Sequence, residues 1–153
     1  MITLAAVDPG VKTGYAVCRF SEISSQVLIH TKVSFTINEE KDTDTVLKET
    51  QPTAIVFEKL PRIPSSVGQH TWYKVYEQFT RRGFYPSPKN TNTIEQGHIY
   101  LIMAGLWKPV MKTVDIPYIQ WLCTNQHERD ATAMLLFWIR TLTEGKEVQY
   151  VSE

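Results

Sequence analysis

Two short runs constrain this chain more than anything else in it. ITLAAVD at residues 2–8 and AIVFE at residues 54–58 are apolar on both faces, and each closes on a carboxylate. A run without polar alternation suits a strand covered on both sides, as in the middle of a sheet packed between helices. Because side chains alternate along a strand, Asp8 shares the face of Ile2, Leu4 and Ala6, and Glu58 that of Ala54 and Val56. If the two strands are parallel neighbours, about 4.8 Å apart, both acids meet at their carboxyl ends, where open α/β sheets bind ligands. Like charges so close need a counter-charge, and a divalent cation would provide one.

The rest of the chain supplies elements around these runs. Pro9-Gly10 marks a turn, and residues 13–20 and 27–36 read as two further strands, antiparallel to the first and to each other. Residues 38–50 open with Asn38 and acids, as a short surface helix does. The strand at 53–59, reached through that crossover, should lie parallel to the first. Trp72, Val75, Tyr76 and Phe79 stand at helical spacing within 66–82, a stripe better suited to the core than to base stacking. Residues 93–107 read as a very apolar helix, residues 113–121 as a last strand placed at an edge by Pro117, and 126–143 as a final helix. Asn125 and Glu128 form a capping pattern that accounts for Glu128. The predicted class is α/β: a mixed sheet of about five strands, the first three antiparallel and the later ones parallel, with helices on both faces in one domain, residues 1–153.

The final helix brings a third acid. Ala131, Met134, Leu135, Trp138, Ile139 and Leu142 form its apolar stripe, and His127 and Asp130 extend that stripe backward at i and i+3, facing the expected sheet. Each acid alone has an ordinary reading: Asp8 as a turn cap, Glu58 as a strand-end partner of Lys59 or Arg62, His127 with Asp130 as a local pair. Three acids at element ends on one predicted buried side favour a site.

Charge points the same way. The 153 residues carry 16 basic and 16 acidic side chains, a balance that argues against a strongly basic nucleic-acid binder. From Lys59 to Lys112, however, eight bases stand against only Glu77 and Glu95, while acids crowd residues 39–49 and the C-terminal tail. That middle segment is either an anion-facing surface or a solvated helix face. Cys18 and Cys123 read as two free thiols, and neither an 18-residue apolar run nor a secretory leader is present, so the expected location is the cytoplasm, with no membrane association. Glu95 with His98, and the isolated His30 and His70, suggest no site.

D-P-G-x-x-T-G-Y-A at Asp8–Ala16, the acid closing A-I-V-F-E, and H-x-x-D-A at His127–Ala131 together resemble the RuvC family of Holliday junction resolvases, of ribonuclease H-like fold. The compact, divergent form resembles bacteriophage members, which would put it in the cytoplasm of a bacterial cell or an infected host. The likeness covers nearly the whole chain in order, but only those three motifs are specific. It implies a crossover junction endonuclease acting on branched DNA as a homodimer. It also implies two Mg²⁺ per site, with Mn²⁺ as a substitute, held by Asp8, Glu58 and Asp130. His127 would be a fourth ligand or a general acid/base. Pro61 stands where some cellular members carry a junction-wedging aromatic residue. Phosphate-contact candidates are Lys59, Arg62, Arg81, Arg82, Lys89, Lys108 and Lys112. Gly14 is expected to keep the second strand low for an approaching phosphate, and helix 93–107 is a candidate dimer surface. Two rivals stand beside this reading: a nucleic-acid module or other nuclease of the same fold that does not resolve junctions, and an actin-like ATPase, for which the chain is too short.

Overall fold

The computed structural model describes residues 1–60, 66–88 and 93–151. The chain runs β1 (Ile2–Asp8), β2 (Thr13–Glu22), β3 (Gln26–Ile37), α1 (Glu40–Thr50), β4 (Ala54–Glu58), α2 (Ser66–Thr80), β5 (Tyr85–Pro86), β6 (His98–Ile102), α3 (Ala104–Met111), α4 (Gln126–Leu142) and β7 (Glu147–Tyr150). The strands form one sheet in the order β5-β6-β4-β1-β2-β3-β7. β1, β2 and β3 pair antiparallel, and every later strand pairs parallel to its neighbour. The expected α/β class and mixed topology are therefore present, with seven strands instead of about five: β5, β6 and β7 are additional, and the strand expected at 113–121 is not formed.

Alternation divides the sheet into two faces. Leu4, Ala6, Ala16, Cys18, Ala54 and Val56 pack with Trp107 and Met111 of α3 and with Met134, Leu135 and Ile139 of α4. Ala5, Val7, Tyr15, Val17, Ile55 and Phe57 pack on the other side with Val46 of α1 and Val75 and Phe79 of α2. β1 and β4, side by side at the centre, are covered on both faces, which is why their sequences lack polar alternation.

Two expected elements are different. Residues 93–107 do not form one helix: Gly97 takes a left-handed backbone (φ 81°), His98–Ile102 pairs with β4, and only Ala104–Met111 is helical. A continuous apolar run has no period that separates strand from helix, and the β-branched and aromatic HIYLI fits the open edge of β4. The exposed Leu101, Met103, Leu106 and Val110 thus belong to a strand end and a short helix rather than to one long helix face. Residues 113–121 form a series of turns, not a strand; Ile116 and Trp121 plug into the α4-side core, and Pro117 withholds an amide from any ladder. The last strand is instead Glu147–Tyr150, beside β3. Cys18 and Cys123 are free thiols. Among the described residues no helix is long and apolar enough to cross a membrane.

Candidate active site

β1 and β4 run in register from Leu4 beside Ala54 to Val7 beside Phe57, so Asp8 and Glu58 end adjacent strands at the same level. Their carboxyl groups share a hydrogen bond. Burial, then the bond and the charge of Glu58, then the charge of Asp130, push the Asp8 carboxyl up to about 8, with Lys108 opposing the shift. Asp8 therefore tends to keep its proton toward neutrality when no cation is present. Asp8, Glu58 and Asp130 are half-buried, while His127, expected on a buried face, is exposed. All four line one cleft of about 430 Å³.

Three local features build that cleft. Thr13 Oγ1 donates to the Gly10 carbonyl at 3.0 Å, closing the turn after β1 so that Pro9 and Gly10 edge the cleft with no large side chain. Trp72 of α2, expected wholly in the core, forms a wall of the cleft and donates its indole N–H to the Glu58 carbonyl at 2.7 Å. Gly14 pairs with Asp8 across the β1–β2 ladder, and a Cβ there would lie 1.9 Å from the His127 carbonyl oxygen. The absent side chain is thus filled by the first turn of α4, not by an approaching phosphate as its sequence context suggests. Gly14 is what lets α4 descend far enough for Asp130 to join Asp8.

The cationic candidates divide. Lys59 and Lys108 line the cleft. Arg81 and Arg82 do not; Arg82 is held by Asp44 at 2.6 Å and Glu40 at 3.2 Å, and Arg81 by Glu40 at 3.0 Å, so both tie α2 to the acids of α1. Lys112 is exposed just past α3. Arg62 and Lys89, like Pro61, lie outside the described residues. Among the described residues no three His, Cys, Asp or Glu side chains stand close enough to cage an ion as they are. The donors are nonetheless carboxylate oxygens, the chemistry that hard divalent cations select, and the raised Asp8 carboxyl marks where positive charge is wanted.

Comparison with solved structures gives this arrangement a context. Thermus thermophilus RuvC in complex with a Holliday junction substrate matches with a TM-score of 0.59, at 13% identity, over 96% of this chain and 99% of that one. The chain has the RuvC fold. A second structure of Thermus thermophilus RuvC matches with a TM-score of 0.57 at 13% identity, over 95% of this chain and 99% of that one. The fowlpox virus resolvase in complex with Holliday junction DNA matches with a TM-score of 0.49 at 13% identity, over 94% and 98% of the two chains. No protein-family model matches, and no curated protein sequence does. In this RuvC-like chain sequence reasoning missed Trp72, whose stripe position is shared with true core residues, and Glu128, whose side chain turns inward rather than serving as an exposed cap.

Proposed function

We propose that this chain is a Mg²⁺-dependent, structure-selective endonuclease that resolves four-way DNA junctions, with Mn²⁺ able to substitute. The observation that carries the reading is the convergence of Asp8, Glu58 and Asp130, with Lys59 and Lys108, in one cleft on a RuvC fold. Asp8, Glu58 and Asp130 would hold two divalent ions, His127 being a fourth ligand or a general acid/base. Bound there, the ions would supply a water nucleophile at neutral pH and neutralise charge on the leaving oxygen. The protein's own contributions follow from its geometry. Asp8 would have to be deprotonated to hold a cation, Lys59 and Lys108 orient the phosphodiester by charge, and Trp72 holds the Glu58 backbone. His127, at the exposed rim, lines the cleft where a proton must be delivered or taken, and an imidazole can do either. Symmetric incision of a four-way junction needs two such clefts related by a dyad, so the active species is a homodimer.

The test is cleavage of four-way junction, flap, linear duplex and RNA–DNA hybrid with Mg²⁺, Mn²⁺ or chelator, alongside light scattering for the dimer. Preferential, metal-dependent cutting of the junction supports the reading. Equal cutting of all substrates would mark a different nuclease, and junction binding without cutting a non-resolving module.

A further inference from the structure

Asn125 and Glu128 make half of a helix cap: Asn125 Oδ1 accepts from the Glu128 amide at 2.9 Å. The Glu128 side chain does something a cap does not require. It is 4% exposed, and its carboxylate accepts from Ser34 Oγ at 3.0 Å, from Thr36 Oγ1, and from the Thr124 amide, Thr124 Oγ1 and Asn125 Nδ2 at 3.1 Å each. Five donor groups reach the two oxygens, none of them a cation, although Ser34 shares its one hydroxyl proton with the Trp121 carbonyl at 2.9 Å. An anion buried against neutral dipoles is a poor substitute for an apolar side chain if stability is all that is gained.

What it grips explains the arrangement. Asp8, Gly14 and Thr36 are partners on one rung across β1, β2 and β3. The first turn of α4 lies along that rung, with Glu128 bound to Thr36, the His127 carbonyl seated on Gly14, and Asp130 close enough to raise Asp8. We propose that Glu128 is a positioning residue: clamped to Ser34 and Thr36, it sets the separation of Asp130 from Asp8 and Glu58, and through that the cleft's hold on divalent cations. The inference rests on the metal-dependent reading above. A misplacement of about 1 Å in such a constellation costs on the order of 100-fold in rate.

The test uses the full chain and Mn²⁺ alone as probe, with binding read by electron paramagnetic resonance and amide hydrogen exchange read without metal. Glu128→Gln should weaken Mn²⁺ binding about tenfold or more and speed exchange at residues 126–131, while junction binding in chelator stays unchanged. Thr36→Val removes the Thr36–Glu128 bond and the bond Thr36 accepts from Asn125 Nδ2 at 2.8 Å but keeps the charge, so a smaller loss in the same direction separates position from charge. Thr43→Val is the control: it breaks the buried Thr43–Gln78 bond (2.8 Å) between α1 and α2 and should lower thermal stability without moving Mn²⁺ affinity. The proposal is overturned if Glu128→Gln and Thr36→Val match that control. If Glu128→Gln fails to fold, Thr36→Val and Ser34→Ala decide by the same comparison. Should the wild type bind no Mn²⁺ and cut no junction, the metal-dependent reading falls. Exchange at 126–131 then judges the clamp by itself, and unchanged exchange in the variants refutes it.

Discussion

Two carboxylates, Asp8 at the end of β1 and Glu128 in the first turn of α4, have opposite fates in this molecule. Asp8 is buried against Glu58 and Asp130, and its carboxyl is pushed up to about 8. Burial also works against Glu128, yet hydrogen bonds from Thr36, the Thr124 amide, Ser34 and the Thr124 hydroxyl outweigh it and hold the group below the usual glutamate range. One rung of the sheet separates them. The scaffold satisfies its acid completely, while the cleft concentrates acids and leaves them short of positive charge, the pattern of a site that gives up stability for a ligand.

The strongest way to break this contrast is Asp8→Asn. It should abolish junction cleavage by about 1,000-fold or more, yet raise the metal-free melting temperature at pH 8 by several degrees, at roughly 3 °C per kcal/mol for a chain of this size. The sign follows from the raised pKa: ionising Asp8 penalises the folded state progressively as pH rises from its unfolded value of 3.8 toward about 8, and not below 3.8. Calorimetry showing no stabilisation would remove the strain attributed to the pair.

Gly14→Ala tests the seating of α4 from the opposite side. With a Cβ 1.9 Å from the His127 oxygen, the helix must lift, at about 3 kcal/mol, with cleavage falling about 100-fold even in the folded fraction. Wild-type activity in a stably folded Gly14→Ala protein would show that Asp130 does not depend on this contact.

Metal and acid sharpen the contrast from both directions. Mg²⁺ should stabilise the wild type more at pH 8 than at pH 5, where Asp8 keeps its proton, and the difference should vanish in Asp8→Asn. Glu128 behaves inversely. Its stabilisation is present above its unfolded pKa of 4.5 and is lost as pH falls through the lower folded value, so acid melts of wild type should steepen below about pH 4.5 while those of Glu128→Gln stay flatter.

The smallest effects separate cleft from surface. Lys108→Ala should weaken junction binding several-fold and reduce the salt slope by about one counterion. Arg82→Ala, which removes the partly exposed pairs with α1 and a bond to the Gln78 carbonyl, should cost about 1 kcal/mol and leave cleavage unchanged. Equal losses in both would return Arg82 to the DNA-binding surface.

Asp8 and Glu58 were legible in the sequence because a two-residue period assigns each to a face, and both do lie on the α4 side of the sheet. Asp130 was legible as a backward extension of the apolar stripe of α4, whereas His127, placed on the same buried face by its i, i+3 spacing, is exposed at the rim of the cleft. The helix expected over 93–107 failed because an uninterrupted apolar run carries no period. Arg81 and Arg82 looked free because the acids that hold them belong to α1, some forty positions earlier. Glu128 hid behind a capping pattern that is satisfied locally by Thr124 and Asn125, while two of its five donors, Ser34 and Thr36, come from β3, some ninety positions earlier.

By itself, then, the sequence determined the central strands, the acids that end them and the helix that carries the third, since each of these follows from periodicity over a few residues. Only the tertiary structure decided which cations face the cleft, what fills the space above Gly14, and why Glu128 is buried. Those depend on partners brought together by strand pairing and helix docking, where register across the sheet, not spacing along the chain, sets who meets whom.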